Sequence, residues 1–177
     1  TAAVLVVERA RALRVAWEPG GEDFLGALAG AGAGSAVYPT ALAGLNALSD
    51  ALFYLYKEVV DLKLGVPAGL HVDCTTETCP ANVESPWADA SLDHVRVNVE
   101  AFRDAYLGAP LGLDAPGFDD LLRSIGAGDL DARMQDAIET ALTSIDPVLV
   151  PLEIAVTSDR ADVVTLHADL RALADLF

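Results

Sequence analysis

The sequence is short of basic residues, of cysteine and of long apolar runs, and each shortage excludes something. Lys and Arg total 11 against 27 Asp and Glu in 177 residues, a formal net charge of −16 with a sequence pI ≈ 4.2. Such a surface repels phosphate backbones and anionic headgroups, which argues against nucleic-acid binding. No apolar run approaches the roughly 18–20 residues of a membrane span; the longest are Val4 to Val7 and Val148 to Leu152, the second cut by Pro151. There is no initiator methionine and no signal-peptide pattern, and Thr1 leads straight into an apolar helical period, so a processed or truncated product is expected. The acidic residues are scattered singly among apolar ones, and 53% of the chain is hydrophobic. That excludes a disordered acidic tail and leaves one folded acidic domain over residues 1–177.

Familiar catalytic signatures are also missing. There is no HExxH, and none of His71, His94 or His167 has a glutamate three residues on, so two metal ligands cannot be drawn on one helical face. There is no GxSxG elbow, and the run Gly30 to Gly34 lacks the preceding strand and the lysine of a phosphate loop. No catalytic residue is assigned.

What is present is helical period. Val6, Ala10, Leu13 and Trp17 line one face of a first helix that Pro19-Gly20-Gly21 ends, and Glu22 to Ala29 reads as a short helical piece. Leu42, Leu45, Leu48, Leu52, Leu55, Val59 and Leu62 keep spacings of three and four, the face of a long helix from about Ala36 to Leu62. Lys63 and Gly65 suit its C-terminus, and Pro67 stops continuation. Leu92, Val95, Val99, Phe102 and Tyr106 mark the next long helix, with Ser91 or Asp89 as N-cap. Phe118 to Ile125 is a short helix. Leu130, Met134, Ile138, Ala141, Ile145 and Leu149 line another, and Val163, Leu166, Leu170, Leu173 and Phe177 the last. Strand-like alternation is nowhere sustained. The expected fold is all-α, an up-and-down bundle of four main helices with short accessory helices. Trp17, Phe24, Tyr54, Phe102 and Tyr106 are expected in its core, and His167 has no assigned role.

The stretch from Gly65 to about Pro86 carries three prolines, both cysteines and no sustained period. A loop this long is functional or covalently pinned. Cys74 and Cys79 either close a small disulfide loop or join His71, Asp73 and Glu77 around a metal. The paired C-x2-C spacing of structural zinc is absent, which favours the disulfide.

One polar constellation remains. At about 100° per residue, Ser91, His94 and Asn98 fall along one flank of the apolar stripe, and Glu84-Ser85-Pro86-Trp87 brings a carboxylate, a hydroxyl and an aromatic to the same helix end. Helix capping with a boundary histidine accounts for these residues. So does a polar pocket, walled by Glu84, Ser85, Ser91, His94 and Asn98, that takes a cation or a small polar ligand, with Glu84 receiving its donor from a helix start or from that ligand.

At these residues the chain resembles the imelysin-like family of bacterial envelope proteins, and in particular its C-terminal half. The run Asp61-Leu-Lys-Leu-Gly-Val-Pro67, then Val83-Glu84-Ser85-Pro-Trp-Ala-Asp-Ala-Ser91-Leu92-Asp93, then Asn98 and Tyr106-Leu-Gly108, is similar to the family's KLG-x-P, ES, Ser-Leu, Asn and Y-x-G series. The upstream Ala16-Trp17-Glu18 is similar to the segment that precedes it. The resemblance implies an all-α fold of two bundle-like halves, a periplasmic or envelope location with a lipid anchor in some members, and an association with iron acquisition. The family was first described as insulin-cleaving metallopeptidases, on a GxHxxE motif of the N-terminal half. Here the nearest string, Gly69-Leu70-His71-Val72-Asp73-Cys74, has cysteine in place of the glutamate.

The reading drawn from the resemblance is a noncatalytic envelope binding protein without a cofactor of its own, iron or zinc belonging to the complete protein. Its partner would be the N-terminal half of the same gene product or a second copy. The alternatives are a metallopeptidase whose ligands lie elsewhere and a helical scaffold or adhesion module.

Overall fold

The computed structural model describes residues 2–177. Every regular element among them is helical and no strand occurs, so the fold is all-α. Contacts divide the chain between Ala51 and Leu52 into two compact units.

The first unit holds α1 (Ala2–Trp17), α2 (Phe24–Ala29) and nearly all of α3 (Ala41–Leu52). Asp23 adopts a left-handed conformation before α2 and its carboxylate accepts from Gly26 N at 3.2 Å, so the side chain caps the helix that its backbone starts. The Trp17 and Phe24 rings meet edge to face at 5.1 Å. No residue of α1 is buried, however, and the stripe of Val6, Leu13 and Trp17 is exposed. The expected core places for Trp17, Phe24 and Tyr54 are therefore corrected: all three are exposed. For α1 the reason is size, because α1 packs on α2, and the six residues of α2 cannot cover the stripe of a sixteen-residue helix.

The second unit carries the core. After α3 the chain does not continue as one long α-helix; Leu55–Gly65 forms a π-helix. Its i→i+5 ladder runs on into Val66 N→Asp61 O at 2.8 Å and Leu70 N→Gly65 O at 2.8 Å. The change of ladder changes which residues face inward. Leu55, Val59, Val60 and Leu64 are buried, whereas Leu62, which the α-period placed on the inner face, is only half-buried.

Then follow a 3-10 turn (Pro80–Asn82), α4 (Ser91–Tyr106), α5 (Phe118–Ser124), α6 (Gly128–Thr143), α7 (Leu152–Ser158) and α8 (Arg160–Ala174). The π-helix packs on α4 and α8, and α6 packs on the same two helices, so these four surround one core. Val95, Val99, Phe102 and Tyr106 of α4 enter it, with Met134, Ile138 and Ala141 of α6 and Val163, Leu166, Leu170 and Leu173 of α8. Each set keeps the three-and-four spacing that a buried helical face requires. Two expected members stand outside: Leu149 is 88% exposed and Phe177 is 41% exposed. Leu149 fails because α6 ends at Thr143 and the chain turns before Pro151, so its period no longer applies. Phe177 lies beyond the end of α8 and meets Phe102 edge to face at 5.4 Å.

Candidate functional site

The long loop between the π-helix and α4 is pinned at both ends. Cys74 and Cys79 form a disulfide with Cα atoms 5.9 Å apart, and Cys79 N donates to Pro67 O at 2.8 Å, tying the cross-linked ring to the turn that ends the π-helix. Gly69, at φ +73°, makes room for the Glu77 carbonyl, which would lie 2.0 Å from any added Cβ. The loop therefore folds back tightly, and the cysteines are not available to a metal. His71 is left facing Asp61, Nε2 to Oδ2 at 3.9 Å, and Asp73, Nδ1 to Oδ2 at 3.5 Å.

The second half of the loop delivers Glu84 and Ser85 to the start of α4. Ser85 N donates to Ser91 Oγ at 2.9 Å, and Ser91, only 1% exposed, donates its hydroxyl to Glu153 Oε1 on α7. Ser91 is thus not an N-cap: the capping position is Ala90 with no side-chain bond, because the Ser91 hydroxyl is already used between the loop and α7. Glu153 Oε2 is buried without a hydrogen-bond partner among the described residues.

Around Glu84 the polar groups converge. Lys63 Nζ, projecting from the last turn of the π-helix, lies 2.9 Å from Glu84 Oε2 and donates to Asn98 Oδ1 at 2.6 Å. His94 Nδ1 lies 3.3 Å from the same Glu84 oxygen and 3.2 Å from Ser85 Oγ. Glu84, Ser85, Ser91, His94 and Asn98, picked out in the sequence, therefore lie in one bonded network. The expected donors to Glu84 were a helix start or a bound ligand; the donor found is the Lys63 ammonium. Lys63, which the sequence places only at a helix end and in the KLG series, and Glu153, which carries no local pattern, stand 35 and 62 positions from Asn98 and Ser91, so the sequence does not join them to the site.

The geometry limits the chemistry. In a Ser-His-acid relay the serine and the acid sit on opposite ring nitrogens. Here both contacts fall on Nδ1 of His94, so Ser85 has no relay behind it. Glu84 and His94 are only two donors for a metal, and Lys63 already neutralises the carboxylate. Among the described residues no three His, Cys, Asp or Glu side chains converge on a metal position. Glu84 and His94 alone therefore do not make the shell of an iron or zinc ion. What the site offers is hydrogen bonding: a carboxylate that is 38% exposed, a lysine with a third donor to spare, and an imidazole whose Nε2 lies outside the network. Trp87, 98% exposed, stands on the adjoining turn.

The imelysin family model matches residues 1–177. The chain belongs to the imelysin family. No curated protein and no solved structure matches it. Imelysin proteins are generally extracellular or associated with the cell envelope, and no helix among the described residues of this one is long and apolar enough to cross a membrane. In this imelysin domain the string from Gly69 to Cys74 lies in the pinned loop and ends in a disulfide cysteine, so it cannot act as the family's GxHxxE ligand pair.

Proposed function

We propose that this imelysin domain is a noncatalytic binding module of the bacterial envelope that takes a small polar ligand at the junction of the pinned loop and α4, in the service of iron uptake. The observation that carries this reading is the Glu84 carboxylate, held between Lys63 and His94 yet open to solvent. A charge pair that is only partly buried exchanges partners at little cost. A ligand bearing both an acceptor and a donor, such as the carboxylates and hydroxyls of an iron chelate, would take Lys63 and Glu84 as its two contacts, with Asn98, Ser85 and His94 setting orientation. The disulfide supports the location, because disulfides persist in oxidising compartments.

The reading is tested by equilibrium dialysis and titration calorimetry with ferric citrate, and with citrate alone, on the wild type and on Glu84→Gln and Lys63→Met. Binding that weakens about tenfold or more in both variants, with unchanged circular dichroism, is the expected result. Binding indifferent to both substitutions overturns the site, and metal-dependent cleavage of an unfolded substrate by the wild type overturns the noncatalytic reading.

A further inference from the structure

The negative charge of this chain is unevenly placed. In α1, Arg9, Arg11 and Arg14 stand against Glu8 alone, a net of +2. In α6, Asp129, Asp131, Asp136 and Glu139 stand against Arg133 alone, a net of −3. No other helix among the described residues carries a net positive charge. The arginines of α1 also bracket its apolar stripe. Val6, Ala10, Leu13 and Trp17 are all exposed, Val6 to 67% and Leu13 to 64%. At about 100° per residue, Arg9 and Arg14 fall on opposite sides of that stripe, each about 70° from its centre. Arg9 makes no ion pair among the described residues, and Arg14 holds only Glu18, itself exposed, at 3.1 Å. Such a surface partner is given up at little cost.

The complementary surface lies between α6 and α8. Two overlapping hollows of about 400 Å³ and 680 Å³, which share Asp136, Thr140 and Asp169, make one solvent-filled groove along these helices. The lining is low where Ala137 of α6 and Ala172 of α8 contribute only methyl groups. Both sides are acidic, with Asp136 and Glu139 on α6 and Asp169 on α8, and none of the three makes an ion pair among the described residues. Arg133 is the one cation among the lining residues, so the groove keeps an excess of negative charge. It follows α6 from Arg133 to Ser144 and beyond. As α1 and α6 each have sixteen residues, a helix of the length of α1 can lie along the whole of it.

From this complementarity we propose that α1 of one chain docks in the α6–α8 groove of a second copy, its apolar stripe on the alanines and its two flanking arginines on the acidic sides. This is the mode in which an amphipathic helix lays its apolar face in a groove. Charge selects the occupant. Two chains of net charge −16 repel as wholes, so a contact between copies needs a local cation, and α1 is the helix that brings one. One arginine meets each side of the groove, which fixes the rotation of the helix about its axis. The contact joins two different surfaces, so it is heterologous: it closes when each chain lends its α1 to the other and otherwise continues as a string of copies.

Sedimentation velocity of the full chain and of two charge-reversed variants tests the contact. The first variant carries Arg9→Glu with Arg14→Glu and the second Asp136→Lys with Glu139→Lys; all four positions are exposed, so circular dichroism should match the wild type. The wild type should associate at micromolar concentration, and each variant alone should associate about tenfold more weakly or worse. Mixed in equal amounts, the variants should regain association, because the reversed α1 of the first now suits the reversed groove of the second while the two unaltered surfaces still suit each other. A wild type that stays monomeric at tens of micromolar overturns the proposal and leaves the stripe to another occupant. Association that survives either reversal, or that is lost in both variants and not regained on mixing, overturns it as well.

Discussion

The Ser91 hydroxyl donates to the Glu153 carboxylate, joining the first turn of α4 to the first turn of α7 across 62 positions of sequence. The same hydroxyl accepts from Ser85 N, so one buried oxygen holds three segments together. Ser91→Ala removes both bonds and leaves half-buried Glu153 Oε1 with only the long bond from Ser91 N at 3.4 Å. A loss of about 1–3 kcal/mol is expected, read as a fall in the urea midpoint with unchanged slope. An unshifted midpoint would mean that water replaces the hydroxyl at no cost.

The disulfide closes a short ring, for which chain entropy alone gives about 2 kcal/mol. Reduction, or the double substitution of Cys74 and Cys79 by serine, should lower stability by that amount. It should also speed amide exchange across residues 69–79, because Cys79 N and the Glu77 carbonyl are seated by the ring. Exchange that rises uniformly through the second unit instead would place the ring's effect in global stability.

His167 of α8 is half-buried, its Nε2 lying 3.4 Å from the position of a Gly65 Cβ. Burial lowers its pKa below the usual value and Arg171 adds to the shift, while Asp61 opposes both. The folded state therefore resists protonation where the unfolded chain accepts it. Below the unfolded value of about 6.5 the unfolded state binds more protons, so this contribution is intact at neutral pH and is lost as the pH falls toward the lowered folded value. His167→Gln should flatten the stability profile between pH 7 and pH 5. A profile with the same slope in wild type and variant would place the acid sensitivity elsewhere.

The π-register of Leu55–Gly65 is testable with two leucines. Leu64, wholly buried, should cost about 2–5 kcal/mol on substitution by alanine. Leu62, half-buried, should cost less than half as much. The reverse order would restore the α-period that the spacing of leucines suggests.

The exposed apolar side chains of α1 should draw this chain into contact with a partner, either a second copy or a further helical segment of the same gene product. Light scattering should show mass above 18.5 kDa at high concentration, reduced by Val6→Glu with Leu13→Glu. A strict monomer in both proteins would remove self-association from consideration.

The helical faces of α4, α6 and α8 were legible because their burial follows the α-period and ends at recognisable breaks such as Gly108 and Pro147. The π-helix was not, since its sequence satisfies an α-period equally well and the choice between ladders is made by tertiary packing. Five residues of the network around Glu84 were legible because they share a loop end and a helix flank. Lys63 escaped because a lysine near a helix end has an ordinary explanation in the helix dipole. Only the fold shows its ammonium turned toward Glu84. The burial of Asp119 and Asp131 escaped for a similar reason, as aspartates in the first turn of a helix are commonplace on a surface.

The π-helix also imposes a constraint of length. A ladder that closes one residue later than an α-helix carries the chain from Leu55 to Gly65 with a fixed phase, and Lys63 reaches Asn98 and Glu84 only at that phase. Removing one residue would let the segment rewind as α and swing the ammonium away from both partners. Adding one would push Leu64 out of the core. At its exposed positions this segment can drift in composition while its residue count cannot, so in this domain insertions and deletions between Leu55 and Gly65 should be far less tolerable than substitutions at those positions.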